Sequence, residues 1–197
     1  MDYDKLYMQL GFIQGDGCLG RLNSPEHLGL EINIGYKDLE IFDLFDIEKI
    51  DNKRAYYETG YNDICRQLGF SSEKLPNRPL PTTYHEWTYE QRISFIRGLY
   101  SANGSFIKVG RIAFKTTCKE LANQLMNILK AFGFHPYTTT NKPKLVEFTN
   151  GEYTCKESYD INLGRQLEVL AFYKDIGFIH GYKMNNIKEF LINKKLQ

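Results

Sequence analysis

The chain has 197 residues, with 25 Lys and Arg against 24 Asp and Glu and a formal net charge of +1. That length holds one large domain or two small ones with real cores, and 42% hydrophobic with 25% charged residues describes an ordinary soluble globule. No apolar run is long enough to span a bilayer, and the acidic start Met1-Asp2-Tyr3-Asp4 does not read as a signal peptide. The cysteines at 18, 65, 118 and 155 lack metal-binding spacing and are expected to be reduced thiols of a cytosolic protein. An overall charge of +1 is weak for a nucleic-acid binder, but the distribution is uneven. Residues 1–50 carry four Lys/Arg against ten Asp/Glu, and residues 101–150 carry seven against two. Such asymmetry is a partner signal.

In chain order, Leu6, Leu10 and Ile13 give helical spacing from Asp4 to about Gln14. Cys18–Leu22 and Leu28–Ile34 read as a hairpin turned at Asn23-Ser24-Pro25-Glu26. Lys37 to Phe45 is amphipathic and helical, Ile50–Thr59 reads as a second hairpin, and Asn62–Leu68 as a short helix ended by Gly69. Pro76, Pro79 and Pro81 place a linker over 75–87. Thr88-Tyr89-Glu90-Gln91 has capping-box spacing and starts a second long helix. A hairpin over Ser105–Val109 and Arg111–Thr116 follows, then a helix over Lys119–Phe132 with Leu121, Leu125, Ile128 and Leu129 on one face. Strands are expected over Pro136–Thr140, Leu145–Thr149 and Tyr159–Asn162, and helices over Arg165–Ile176 and Lys183–Ile192.

Two stretches share one design. Gln9-Leu10-Gly11-Phe12-Ile13-Gln14-Gly15-Asp16-Gly17 lies over Ile96-Arg97-Gly98-Leu99-Tyr100-Ser101-Ala102-Asn103-Gly104 so that Gly11 meets Gly98, Gly15 meets Ala102, Asp16 meets Asn103 and Gly17 meets Gly104. Small residues one turn apart let two helices approach almost backbone to backbone. Gly17 and Gly104 are expected to end those helices in the left-handed conformation. Asp16 and Asn103 then meet at two helix C-termini, where a carboxylate needs a compensating cation, and form a candidate divalent-metal site. The repeat extends further, since Lys37-Asp38-Leu39 lies over Lys119-Glu120-Leu121.

The two stretches resemble the LAGLIDADG motif of the homing endonucleases, in the two-motif, single-chain form. The resemblance implies an α+β fold of two pseudo-symmetric αββαββα halves, here 1–74 and 88–197, with motif helices packed at the interface. Antiparallel sheets then form a saddle for double-stranded DNA, with outward candidates Arg21, Glu31 and Asn33 in the first half. Lys108, Arg111, Ala113 and Lys115 are their second-half counterparts. The implied chemistry is site-specific phosphodiester hydrolysis with Mg²⁺, held by Asp16, Asn103 and the carbonyls of Gly15 and Ala102. Lys74 and Lys183 hold corresponding places near the scissile phosphates. Asn103 departs from the motif acid, which leaves double-strand cleavage, strand-biased nicking or a cleavage-deficient DNA binder, with a group I intron RNA maturase as the rival class. Ends at Met1 and Gln197 read as a free-standing protein rather than an intein. A monomer of a mobile genetic element is expected, in the cytoplasm or an organelle with its target DNA.

Overall fold

Helix α1 (Lys5–Asp16) starts where the Asp4 carboxylate accepts the amide hydrogen of Tyr7 at 3.2 Å. The computed structural model describes residues 3–19, 30–34, 38–47, 55–58, 60–71, 73, 77–148 and 151–196. From α1 the chain passes into β1 (Gly17–Leu19), which pairs with β2 (Leu30–Asn33) in antiparallel register, Gly17 opposite Ile32. Helix α2 (Leu39–Leu44) follows, then β3 (Ala55–Glu58), which joins the far side of β2. The result is a three-stranded β1-β2-β3 sheet. The partner expected for β3 within its own hairpin, and the turn between β1 and β2, lie outside the described residues. Helix α3 (Tyr61–Gln67) ends at Gly69, whose φ of +73° is open to glycine.

The segment expected as a linker is packed. A 3-10 turn spans Thr82–Glu86, and Arg78, Leu80, Tyr84 and Trp87 are buried. Tyr84 and Trp87 make edge contacts with Phe95, with ring centres 5.6 and 5.2 Å apart. Helix α4 (Tyr89–Asn103) begins with the full capping box. Thr88 Oγ1 accepts from the Gln91 amide, and Gln91 Oε1 accepts from the Thr88 amide.

Strands β4 (Gly104–Ile107) and β5 (Arg111–Thr116) form the expected hairpin, turned at Gly110 with φ +92°. Helix α5 (Lys119–Ala131) buries Leu121, Leu125, Ile128 and Leu129 as its spacing requires. Beyond it, β6 (Tyr137–Asn141) and β9 (Ser158–Leu163) complete a sheet ordered β4-β5-β9-β6. Strand β7 (Lys144–Phe148) does not enter that sheet; it pairs with β8 (Gly151–Cys155) in a separate exposed hairpin. Helix α6 (Gln166–Ala171) runs into a π turn at Phe172–Ile176, and α7 (Gly181–Asn193) closes the chain. Among the described residues this is an α+β architecture of seven α-helices with antiparallel sheets.

Helices α1 and α4 approach backbone to backbone at Gly11 and Gly98. A Cβ on Gly11 would overlap the Phe95 carbonyl, and one on Gly98 would overlap the Met8 carbonyl. Near the crossing's other end, a Cβ on Gly15 would stand 2.6 Å from Cβ of Ala102. The small-residue spacing therefore does what helix geometry predicts. The reading of Gly17 and Gly104 as left-handed caps is corrected. Gly17 has φ −79° and Gly104 φ −92°, ordinary extended backbone that turns each helix straight into a strand. Glycine is needed there for room. A Cβ on Gly17 would lie 2.8 Å from Cα of Ile13, and one on Gly104 2.7 Å from Cδ1 of Tyr100. Cys65, Cys118 and Cys155 are free thiols. None of the described helices is long and apolar enough to cross a membrane.

Candidate functional site at the crossing of two helices

The crossing delivers the last residues of α1 and α4, Asp16 and Asn103, to one place. Asn103 Nδ2 donates to the Gly15 carbonyl at 3.0 Å, so the second helix end is tied to the first. A Cβ on Gly15 would lie 3.4 Å from Asn103 Oδ1, an ordinary contact, so the 2.6 Å approach to Ala102 is what requires glycine there. Ala102 presents its methyl to Gly15. A cavity of about 390 Å³ opens beside the pair, lined among others by Gln14, Arg78, Lys115, Thr116 and Thr117. Burial, then the Asp38 carboxylate, raises the Asp16 carboxyl to about 6. An acid so placed seeks positive charge.

Each helix end has its own cation. Arg78 is 2% exposed, and its guanidinium donates to the carbonyls of Ile13 and Gly17, both at 3.0 Å. Gln14 Nε2 donates back to the carbonyls of Arg78 and Pro79, at 3.2 and 2.9 Å. At the end of α4, Lys183 Nζ donates to the carbonyls of Ser101 and Gly104, both at 2.9 Å. Burial lowers the Lys183 ammonium to about 8, against the opposing pull of Asp38. Both cations sit at the negative pole of a helix, against carbonyls of its end and of the strand that follows.

Asp38 belongs to the same neighbourhood. It precedes α2, and its Oδ1 lies 3.3 Å from Nε2 of His180. Burial, then Lys183, pushes His180 down to about 4 while Asp38 and Glu40 oppose it. The imidazole is therefore neutral at neutral pH, with its Nε2 beside the carboxylate.

Of the expected DNA-facing residues, Lys115 is exposed at the cavity's edge, and Lys108 is exposed in the β4–β5 turn rather than on a strand. Arg111 opens β5 and is half-buried. Ala113 is a correction. By register it shares the open face with Arg111 and Lys115, yet it is only 8% exposed. Its methyl stands on a central strand between Ser105 and Asn162, and is too short to rise above them. Glu31 and Asn33 lie in β2, opposite Tyr57 and Ala55, and nothing is described of their side chains. Arg21 and Lys74 lie outside the described residues. Cys118 caps α5, its sulfur accepting from the Leu121 amide at 3.4 Å.

Sequence reasoning missed Arg78, Asp38 and His180. Arg78 lies more than 60 residues from the carbonyls it holds, so no local pattern marks it.

The donors suit a hard cation. They are the Asp16 carboxylate, the Asn103 amide oxygen and the Gly15 carbonyl. Gln14 Oε1 and Thr117 Oγ1, on residues lining the same cavity, are buried with no hydrogen-bond partner among the described residues. Orphaned oxygens beside a raised carboxyl fit an oxygen-coordinated divalent ion. No group of three His, Cys, Asp or Glu side chains converges among the described residues, so protein charge there is sparse.

Residues 90–177 match the family model described as a LAGLIDADG-like domain, covering α4 through the π turn. A stretch of 105 residues, 51% of the chain, is 32% identical to the ATP-dependent DNA helicase Hel308 of Methanocaldococcus jannaschii. It covers 9% of that relative, so the chain spans less than a tenth of the helicase's length. The helix that ends in Asn103, the sheet that follows it and the family match fall on the same residues, and over them the chain is similar to the LAGLIDADG family.

Proposed function

We propose that this protein is a site-specific DNA endonuclease that hydrolyses phosphodiesters with Mg²⁺ at the α1–α4 crossing, with a bias toward one strand. The observation that carries the reading is the meeting of Asp16 and Asn103 in one cavity, hydrogen-bonded through Gly15. The family match over residues 90–177 adds support, since LAGLIDADG proteins are typically nucleases that bind double-stranded DNA. The chain then consists of two related halves, 1–74 and 88–197, acting as a monomer with an internal two-fold. Their open sheet faces are read as the DNA saddle, with Lys115, Arg111 and Lys108 toward phosphates or guanine edges.

Asp16, Asn103 and the Gly15 carbonyl would hold the ion; the carbonyl of Ala102 remains a candidate ligand beside them. When bound, Mg²⁺ supplies a water of lowered pKa and a charge opposite the leaving oxygen. The chain's own residues do the rest. Asp16 would give the ion a carboxylate oxygen and a negative charge, which its burial makes costly without a cation. Arg78 and Lys183 neutralise the negative helix ends that would otherwise repel phosphate. Lys115, exposed at the cavity edge, is placed to meet a phosphate oxygen. Asn103 brings no charge, and its amide hydrogen is spent on Gly15, so one side of the site binds the ion more weakly.

That commitment of the Asn103 amide is also what favours the second reading, a cleavage-deficient DNA binder of the same fold. Supercoiled plasmids carrying the uninterrupted sequence around the protein's own gene, incubated with Mg²⁺, test the choice. Nicked circles that slowly become linear support the endonuclease. Intact plasmid despite a sequence-specific gel shift indifferent to Mg²⁺ supports the binder, and binding of structured RNA without DNA cutting supports a maturase.

A further inference from the structure

Asp38 stands at the N-cap position of α2 yet makes no cap hydrogen bond. Acidic residues at that position ordinarily satisfy the helix's own amides. Here the carboxylate faces His180 instead, at 3.3 Å, the residue that precedes α7. Two residues later Glu40 does the same kind of thing, its Oε1 accepting the Gly181 amide hydrogen at 2.8 Å. Both carboxylates of the α2 start therefore grip the α7 start, across 141 residues of chain in the case of Glu40.

The grip answers a physical problem. Lys183 lies in the first turn of α7, where the positive pole of the helix disfavours a cation. It is also buried, which disfavours the charge again, and Asp38 counters that loss. Nevertheless its ammonium must reach the Ser101 and Gly104 carbonyls beside Asn103. Two anions at the same helix start offset both penalties and fix the direction in which α7 leaves. Arg78, which serves α1, comes from an extended segment and carries no such burden.

We propose that Asp38 and Glu40 form a clamp that positions Lys183 at the end of α4 beside Asn103, making the acids of α2 positioning residues for the site. The clamp deepens the endonuclease reading, on which only its kinetic test rests. The first test is independent of activity: acetylation of the intact protein by N-hydroxysuccinimide acetate, read lysine by lysine by mass spectrometry, with exposed Lys188 as the internal reference. Asp38→Ala is expected to raise Lys183 labelling about tenfold relative to Lys188, as local opening of a held side chain would. Asp38→Glu keeps the anion and is expected to stay within about twofold of the parent. Unchanged Lys183 labelling in folded Asp38→Ala, or an equal rise in Asp38→Glu, overturns the proposal. Circular dichroism establishes folding, and if Asp38→Ala does not fold, Glu40→Ala carries the test with the same expected direction. In the kinetic arm, Asp38→Ala is expected to lower kcat by roughly ten- to a hundredfold through misplacement of Lys183, while DNA affinity changes by less than about twofold. Equal losses in affinity and kcat contradict positioning. A parent protein that cuts no DNA removes the endonuclease reading, and the labelling result still decides the clamp.

Discussion

Gly11→Ala tests the helix crossing with a single methyl group. The added Cβ would overlap the Phe95 carbonyl and stand 2.8 Å from its carbonyl carbon and 2.9 Å from the Leu99 amide nitrogen. All of these are backbone atoms of α4, so no side chain can swing aside. The helices must separate by roughly half an ångström to one ångström, loosening a seam that includes Leu10, Ile13, Phe95 and Leu99, all fully buried. Overpacking of a tight core costs about 1–3 kcal/mol, and a rigid backbone obstacle places this case at about 3. For a chain of this size that corresponds to a fall in Tm of roughly 6–12 °C. Gly164→Ala is the control, because its Cβ would make ordinary 3.4 Å contacts with Tyr137, and it is expected within about 1 kcal/mol of the parent. Thermal and urea unfolding followed by circular dichroism measure both. If Gly11→Ala unfolds with the parent, the close backbone approach is wrong.

The other predictions concern the site. Gly15→Ala should lower stability by about 1–3 kcal/mol, and Gly15→Ala with Ala102→Gly should recover most of it, because the pair moves one methyl from α4 to α1. The raised Asp16 carboxyl, near 6, contributes stability that is full below about pH 4 and is lost as pH rises through about 6. Asp16→Asn should therefore stabilise the protein at pH 8 but not at pH 4, by on the order of 1–2 kcal/mol after allowing for its partial exposure, and should abolish any Mg²⁺-induced rise in Tm. Arg78→Met removes the guanidinium hydrogen bonds to the Ile13 and Gly17 carbonyls, leaving Ile13 only the Gly17 amide, and a loss of about 1–3 kcal/mol in urea unfolding is expected. Lys115→Ala should reduce the salt dependence of DNA binding by about one unit of slope in a titration of affinity against salt.

Much of the fold was readable because its signals are local. The small residues of the crossing stand one helical turn apart, and Thr88 with Gln91 spells its capping box in four letters. What failed shows where local reading stops. Glycine at 17 and 104 was assigned to a left-handed turn, but glycine also marks a place without room, and only the neighbouring turn of helix distinguishes the two. The pairing of β7 with β8 went unread because the second strand is exposed, with no buried face to announce it. At the site, Asp16 and Asn103 came from the repeat itself. Arg78 and Asp38 did not, because each acts on backbone or side chains far along the chain. Lys37-Asp38-Leu39 was read as the opening of a helix, which it is, and its carboxylate serves another helix altogether.

Strand-resolved cleavage of a labelled DNA target, under single turnover with Mg²⁺, tests the central claim most directly. The parent, Asp16→Asn and Asn103→Asp are compared on the same duplex. The account predicts that the parent cuts one strand faster, that Asp16→Asn loses at least about a hundredfold, and that Asn103→Asp speeds the slower strand. Cutting that survives Asp16→Asn, with strand rates unmoved by Asn103→Asp, would place the chemistry elsewhere and contradict the assignment of the α1–α4 crossing as the site.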